Sequence, residues 1–282
     1  MSTFTQGIEL EKQGKYEEAL PFFQQAIEEH PESYIGWTHL SYDLCETEEY
    51  EGALKAAERA LAINLQYAPA WVTKARALNE LDPPRPEEGI AACKRAISCD
   101  PNLAMAYVTK GKILESQQLE NEALAEFDRA LAIDSNLWEA LLCKAGDLFI
   151  LNRCNELQLV AERLIRLAPN DERGWCFSAF ALYLMKEHRE ALQAINRALA
   201  INPNNSTALT CKSSIVYEMG DKSEASALAR RAAKLDPQNE LAQMSKTELN
   251  KERNEKIMRV SGAIGSGIFG GISEMIKAVF RP

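Results

Sequence analysis

One spacing dominates this sequence. A small residue, an aliphatic residue eight positions later and, in most instances, a proline four beyond that return at a near-constant interval. The small position falls at Ala19, Ala53, Gly89, Ala123, Leu157, Ala191 and Ala225, at intervals of 34, 36, 34, 34, 34 and 34 residues. The aliphatic row is Ile27, Leu61, Ile97, Leu131, Ile165, Leu199 and Ala233, and the row after it Pro31, Leu65, Pro101, Ser135, Pro169, Pro203 and Pro237. From the second period onward another motif precedes these: Trp37/Ser41/Leu44, Trp71/Ala75/Leu78, Tyr107/Gly111/Leu114, Leu141/Ala145/Leu148, Trp175/Ala179/Leu182 and Leu209/Ser213/Val216. A period of this length requires each copy to form one supersecondary unit that stacks on its neighbours.

Both motifs place apolar or small residues at i, i+4 and i+7 or i+8, the spacing of one helix face. Proline stops the second helix of a period and stands where the next can begin. Short polar stretches such as Gln13-Gly14-Lys15 and Gly220-Asp221-Lys222 divide the two helices. Each period therefore predicts an antiparallel helix pair, and the fold class is all-α. One pair cannot bury its own apolar face, but a stack can, so the 282 residues do not require a second globular core. Two periods depart from the pattern. The third carries the insertion Asp82-Pro83-Pro84-Arg85-Pro86, expected to be stiff and protruding. The fifth has Leu157 at the small position, which is expected to spread its two helices.

Composition bears chiefly on partners and chemistry. Lys+Arg number 32 against Asp+Glu 41, a net charge of −9, which argues against a nucleic-acid surface. The first ten residues, MSTFTQGIEL, do not read as a signal peptide. The seven cysteines form no C-x-x-C pair and read as small apolar residues in a reducing, cytoplasmic compartment. His30, His39 and His188 have no nucleophile or ligand at a matching spacing, and Cys93 and Cys99 stand alone on one helix. No catalytic constellation, metal site or cofactor is expected.

Phrases such as Trp71-Val-Thr-Lys-Ala-Arg-Ala-Leu and Glu122-Ala-Leu-Ala-Glu-Phe-Asp-Arg-Ala-Leu resemble the first and second helices of the tetratricopeptide repeat family. The resemblance runs from about Thr3 to Asn239. It implies a right-handed α-solenoid of about seven helix pairs whose first helices line a concave, non-enzymatic groove for a protein or peptide partner. Positions 2, 5, 9, 12 and 13 of each unit point into such a groove in the family. Transferred here, they make Tyr42, Arg76, Lys112, Leu142, Phe149, Ile150, Cys176, Phe180, Tyr183 and Leu184 the expected groove residues. The early units then offer a polar surface with isolated basic residues. Units five and six offer an apolar patch, unless its side chains pack between helices or the C-terminal segment covers them. Arg76 and Lys112 lack the asparagine partners of the family's carboxylate clamps. Lys74, Lys110, Lys144 and Lys212 form a separate row, expected to cover apolar surface with their stems and reach solvent with their ammonium groups.

The expected organisation is seven repeats over 1–239 (about 1–33, 34–67, 68–103, 104–137, 138–171, 172–205 and 206–239), a capping helix over 240–258 and a glycine-rich apolar basic tail over 259–282. In the tail, Ile264, Ile268, Ile272, Ile276, Val279 and Phe280 make an apolar helical stripe, and Gly267 and Gly271 a G-x-x-x-G. From Lys251 onward six basic residues face three acidic ones, so this end carries +3 and the rest of the chain −12. The stripe fits a membrane span, an interfacial anchor or a helix that docks in a groove. Docking, in its own chain or a neighbouring copy, is the favoured reading. It makes the protein an adaptor, with a homo-oligomer through the tail as one consequence. The alternative is a membrane-associated assembly factor anchored by the tail on a membrane surface.

Overall fold

The structure, a computed structural model, describes residues 2–237. The segments expected as a capping helix and a docking tail lie outside the described residues. The described residues form fourteen α-helices and no strand. In chain order these are α1 (Thr3–Lys12), α2 (Tyr16–Glu29), α3 (Tyr34–Glu46), α4 (Tyr50–Ile63), α5 (Ala68–Glu80), α6 (Pro86–Cys99) and α7 (Ala104–Ser116). They continue as α8 (Glu120–Ile133), α9 (Trp138–Ile150), α10 (Cys154–Leu167), α11 (Glu172–Leu184), α12 (His188–Ile201), α13 (Ser206–Glu218) and α14 (Lys222–Leu235). The chain divides into two compact units, residues 1–140 and 141–282. In the first, α1 packs on α2, α3 on α4, α5 on α6 and α7 on α8, and each pair packs on the next. In the second, α11 packs on α12 and α13 on α14, with α10 against α11 and α12 against α13. This is the consecutive helix-pair packing of an α-solenoid.

The second helices, α2 through α14, each have a glutamate in the first turn, where it offsets the positive end of the helix dipole. The turn before each is built the same way in six of the seven periods. Gly14, Glu48, Gln118, Asn152, Lys186 and Gly220 take a positive φ, between 54° and 96°. The amide after each reaches back five residues to the carbonyls of Leu10, Leu44, Leu114, Leu148, Leu182 and Val216. That is the left-handed helix stop in which the last free carbonyls find donors. In the third period the same register carbonyl, on Leu78, accepts instead from the Arg85 amide at 2.8 Å. The two extra residues are thus absorbed inside one hydrogen-bonded turn. Pro83, Pro84 and Arg85 are exposed there, and Pro86 opens α6.

Between periods a second device recurs. The indole N–H groups of Trp37, Trp71 and Trp175 donate to the carbonyls of Pro31, Leu65 and Pro169 at 2.9–3.0 Å, and the Tyr107 hydroxyl to Pro101 at 3.3 Å. Each aromatic therefore fills space between helices and ties down the turn that precedes its own helix. Leu141 and Leu209, which occupy the same register, are wholly buried instead.

Inside a pair, the small residue of the first helix is matched to the residue opposite it. A Cβ on Gly7 would stand 2.9 Å from the Phe23 ring, and one on Gly111 only 2.4 Å from the Phe127 ring. Ala75 faces Cys93 in the same manner. Alanine supplies much of the core, with Phe23, Phe127 and Phe177 among its largest side chains. That accounts for a chain only 7% aromatic. Leu157 is fully buried at its exceptional position.

Candidate partner-binding face

First helices of successive pairs lie side by side: α3 against α5 and α5 against α7 in residues 1–140, and α11 against α13 in the second unit. Their outer positions form a ladder of contacts from one pair to the next. The Arg76 guanidinium is bound by the Glu46 carboxylate and lies 5.7 Å over the Tyr42 ring, which meets Tyr16 edge-on at 5.9 Å. Ser116 donates to Asn79 at 3.0 Å, and Lys112 is bound by Glu139. Burial works against the Arg76 charge, but the Glu46 hydrogen bond and its charge outweigh this and hold the guanidinium above its ordinary value. Burial also raises the Tyr42 hydroxyl, helped by Glu46.

The expected isolated basic residues are therefore neutralised. Arg76 and Lys112 each belong to a carboxylate one pair away, a partner that groove positions read one helix at a time do not reveal. The lysine row also differs from expectation. Lys74 bonds Glu58 of the preceding pair at 2.9 Å, while Lys110 bonds Glu126 at 2.8 Å and Lys212 pairs with Glu224 at 3.5 Å, both within their own pairs. The switch has a register cause: the position of Glu58 is held by Lys94 one period later, and Lys110 turns to Glu126, where the third period has Ala92. Their stems are covered as expected, but the ammonium groups of these three are paired rather than left to solvent.

In the second unit, Leu142, Phe149, Cys176 and Phe180 are buried, and the rings of Phe149 and Phe180 lie 5.0 Å apart. Ile150, Tyr183 and Leu184 are half-buried and keep part of their surface outside. Burial, with Glu218 nearby, pushes the Tyr183 hydroxyl up to about 12.

Two features escaped sequence reading. His39 Nδ1 meets the Glu11 carboxylate at 2.7 Å while its ring stacks on Phe23 at 5.3 Å. One turn further along α3, Asp43 is completely buried, and neither of its carboxyl oxygens has a hydrogen-bond partner. A signal for the second existed. The register of Asp43 holds Ala77, Ile113, Asp147, Ala181 and Ile215 in later periods, which marks it as a core position. Burial raises the thiols of Cys45 and Cys93 to about 12, so both are held as neutral thiols rather than nucleophiles. Among the described residues no group of three or more His, Cys, Asp or Glu side chains is placed to hold a metal ion.

The sequence model of the tetratricopeptide repeat family matches residues 4–69, the first two helix pairs, and the same pair is rebuilt through α14. The chain carries tetratricopeptide repeats in its first two pairs and repeats their fold in the rest. Solved repeat structures resemble it in fold. A chain from the APC/C hetero-tetramer Cut9-Hcn1 superposes with a TM-score of 0.71 at 14% identity over 86% of this protein. That match takes in 48% of the other chain, so the present protein spans about half of its length. PilF of Pseudomonas aeruginosa gives 0.65 at 18% identity, over 77% of this chain and 98% of its own. YrrB, described as a tetratricopeptide repeat protein with an unusual peptide-binding site, gives 0.52 at 20% identity, over 67% and 97%. No curated protein matches the sequence.

Proposed function

We propose that this protein is an adaptor that holds a peptide or helix of a partner protein on the face made by its first helices. The observation that carries the reading is the ladder on that face. Glu46–Arg76, Asn79–Ser116 and Lys112–Glu139 fix neighbouring first helices into a rigid platform, while Glu80 remains exposed and Ile150, Tyr183 and Leu184 keep apolar surface outside. With its arginine and lysine already bound by glutamates, such a platform favours a basic, amphipathic ligand over an acidic one. YrrB, alike in fold, has a peptide-binding site by its description, which supports the class of ligand and not its identity.

The same chemistry makes the chain's own C-terminal segment a ligand of this kind. It carries +3 against −12 for the rest and an isoleucine stripe at Ile264, Ile268, Ile272 and Ile276. Docked in its own chain or in a second copy, it competes with the partner. A glycine-rich segment that is costly to order alone suits a ligand that orders only on docking. Seven cysteines without a disulfide suit a reducing, cytoplasmic setting. Flotation with lipid vesicles tests the docking against its rival. The full chain and a chain ending at Met258 are both expected to remain with the protein fraction. Lipid flotation of the full chain alone would instead make the segment a membrane anchor.

A further inference from the structure

Asp43 is a carboxyl group in an apolar register. It is wholly buried on α3, both oxygens lack a partner, and four of the five matching positions in later periods are buried alanine or isoleucine: Ala77, Ile113, Ala181 and Ile215. The charged groups around it come from three helices. Glu11 of α1 is engaged by His39, which stands one turn before Asp43 on the same face of α3, and Glu46 of α3 is engaged by Arg76 of α5. Those two glutamates repel a negative charge on Asp43, and no donor compensates it. An ionised carboxylate in such a place loses its hydration and gains nothing for it.

We propose that α1 is a proton-controlled lid: it stays docked on α2 and α3 while Asp43 is neutral and loosens as Asp43 gives up its proton to water, uncovering the Phe23 and His39 rings that Phe4 of α1 meets. Those rings form a compact cluster, with Phe4–Phe23 at 5.6 Å and Phe4–His39 at 5.5 Å, and Ile8 and Leu10 of α1 pack on the same core. Glu11–His39 is the polar tie that joins α1 to α3 in that cluster.

Burial above all, and then Glu11 and Glu46, push the Asp43 carboxyl up to about 8. Once α1 lifts and water reaches the group, it returns to the ordinary carboxylate range near 4. The docked form therefore binds more protons than the open form. Docking is strongest below about pH 4, weakens by up to about tenfold per pH unit as pH rises toward 8, and is constant above.

Hydrogen exchange of the α1 amides in the full chain, corrected for intrinsic rates, reads this directly. Between pH 5.5 and 7.5 their protection is expected to fall by about 100-fold in the wild type. It is expected to be flat in Asp43→Asn and in Asp43→Ala, the latter being the residue that the third and sixth periods use. A flat wild type overturns the proposal, and so does a fall that survives in both variants. In case both variants fail to fold, the carboxyl carbon of Asp43 is followed by NMR in the wild type. A midpoint near 8 supports the lid, and one in the ordinary carboxylate range refutes it.

Discussion

At the scale of single residues, size matching between the two helices of a pair carries much of the specificity. Gly111 lies so close to the Phe127 ring that a methyl group there has no room. Gly111→Ala is expected to lower stability by about 1–3 kcal/mol through overpacking. Urea denaturation checks this, and Phe127→Leu should recover part of the loss in the double variant because the two side chains share one space. The positive-φ turns argue in the other direction. Lys186 and Gln118 hold a left-handed conformation that glycine adopts without strain, as Gly14 and Gly220 do in their own periods. Lys186→Gly should therefore raise stability by about 0.5–1 kcal/mol, the relief of strain exceeding glycine's entropic cost. The small residues at these contacts were legible from their spacing. The left-handed residues were not, because four of the six are Glu, Gln, Asn or Lys, side chains that carry no turn signature as strong as glycine's.

At the scale of elements, the helix pairs follow from the period, since Leu44, Leu114, Leu148 and Val216 are both core residues and the carbonyls that close their turns. The Asp82–Pro86 insertion could be read as a protruding turn, but not that Leu78 would keep its register carbonyl in use through Arg85. The aromatics were read as fillers of the gap between helices. Their hydrogen bonds to the carbonyl six residues back add a second role that a hydropathy pattern cannot show. Trp37→Phe keeps most of the ring and deletes the N–H, so it should cost about 0.5–1.5 kcal/mol. The same change at Trp71 should cost a similar amount, and thermal melts of the two variants check whether the device is equivalent from one turn to the next. If Trp37→Phe is neutral, the ring alone does the work.

At the scale of the whole molecule, the groove was the least legible feature. Position rules read each helix separately, whereas Arg76–Glu46 and Lys112–Glu139 are properties of neighbouring pairs. The rules also placed Leu142, Phe149, Cys176 and Phe180 on an open surface, and packing against adjacent helices buries them. What remains outside is, in the second unit, a narrower apolar contact at Ile150, Tyr183 and Leu184 and, in the first, a platform whose arginine and lysine are already held by glutamates. Such a surface should bind basic amphipathic peptides with an affinity that weakens as salt is raised from 50 to about 300 mM, by screening. The most direct measurement is a fluorescence anisotropy titration of a labelled peptide of residues 259–282 against the chain ending at Met258. Saturable binding is expected, abolished when the peptide carries Ile268→Asp and Ile272→Asp and weakened at least several-fold by Leu184→Asp in the protein. No binding, or equal binding of the two peptides, would contradict the adaptor with a docking tail.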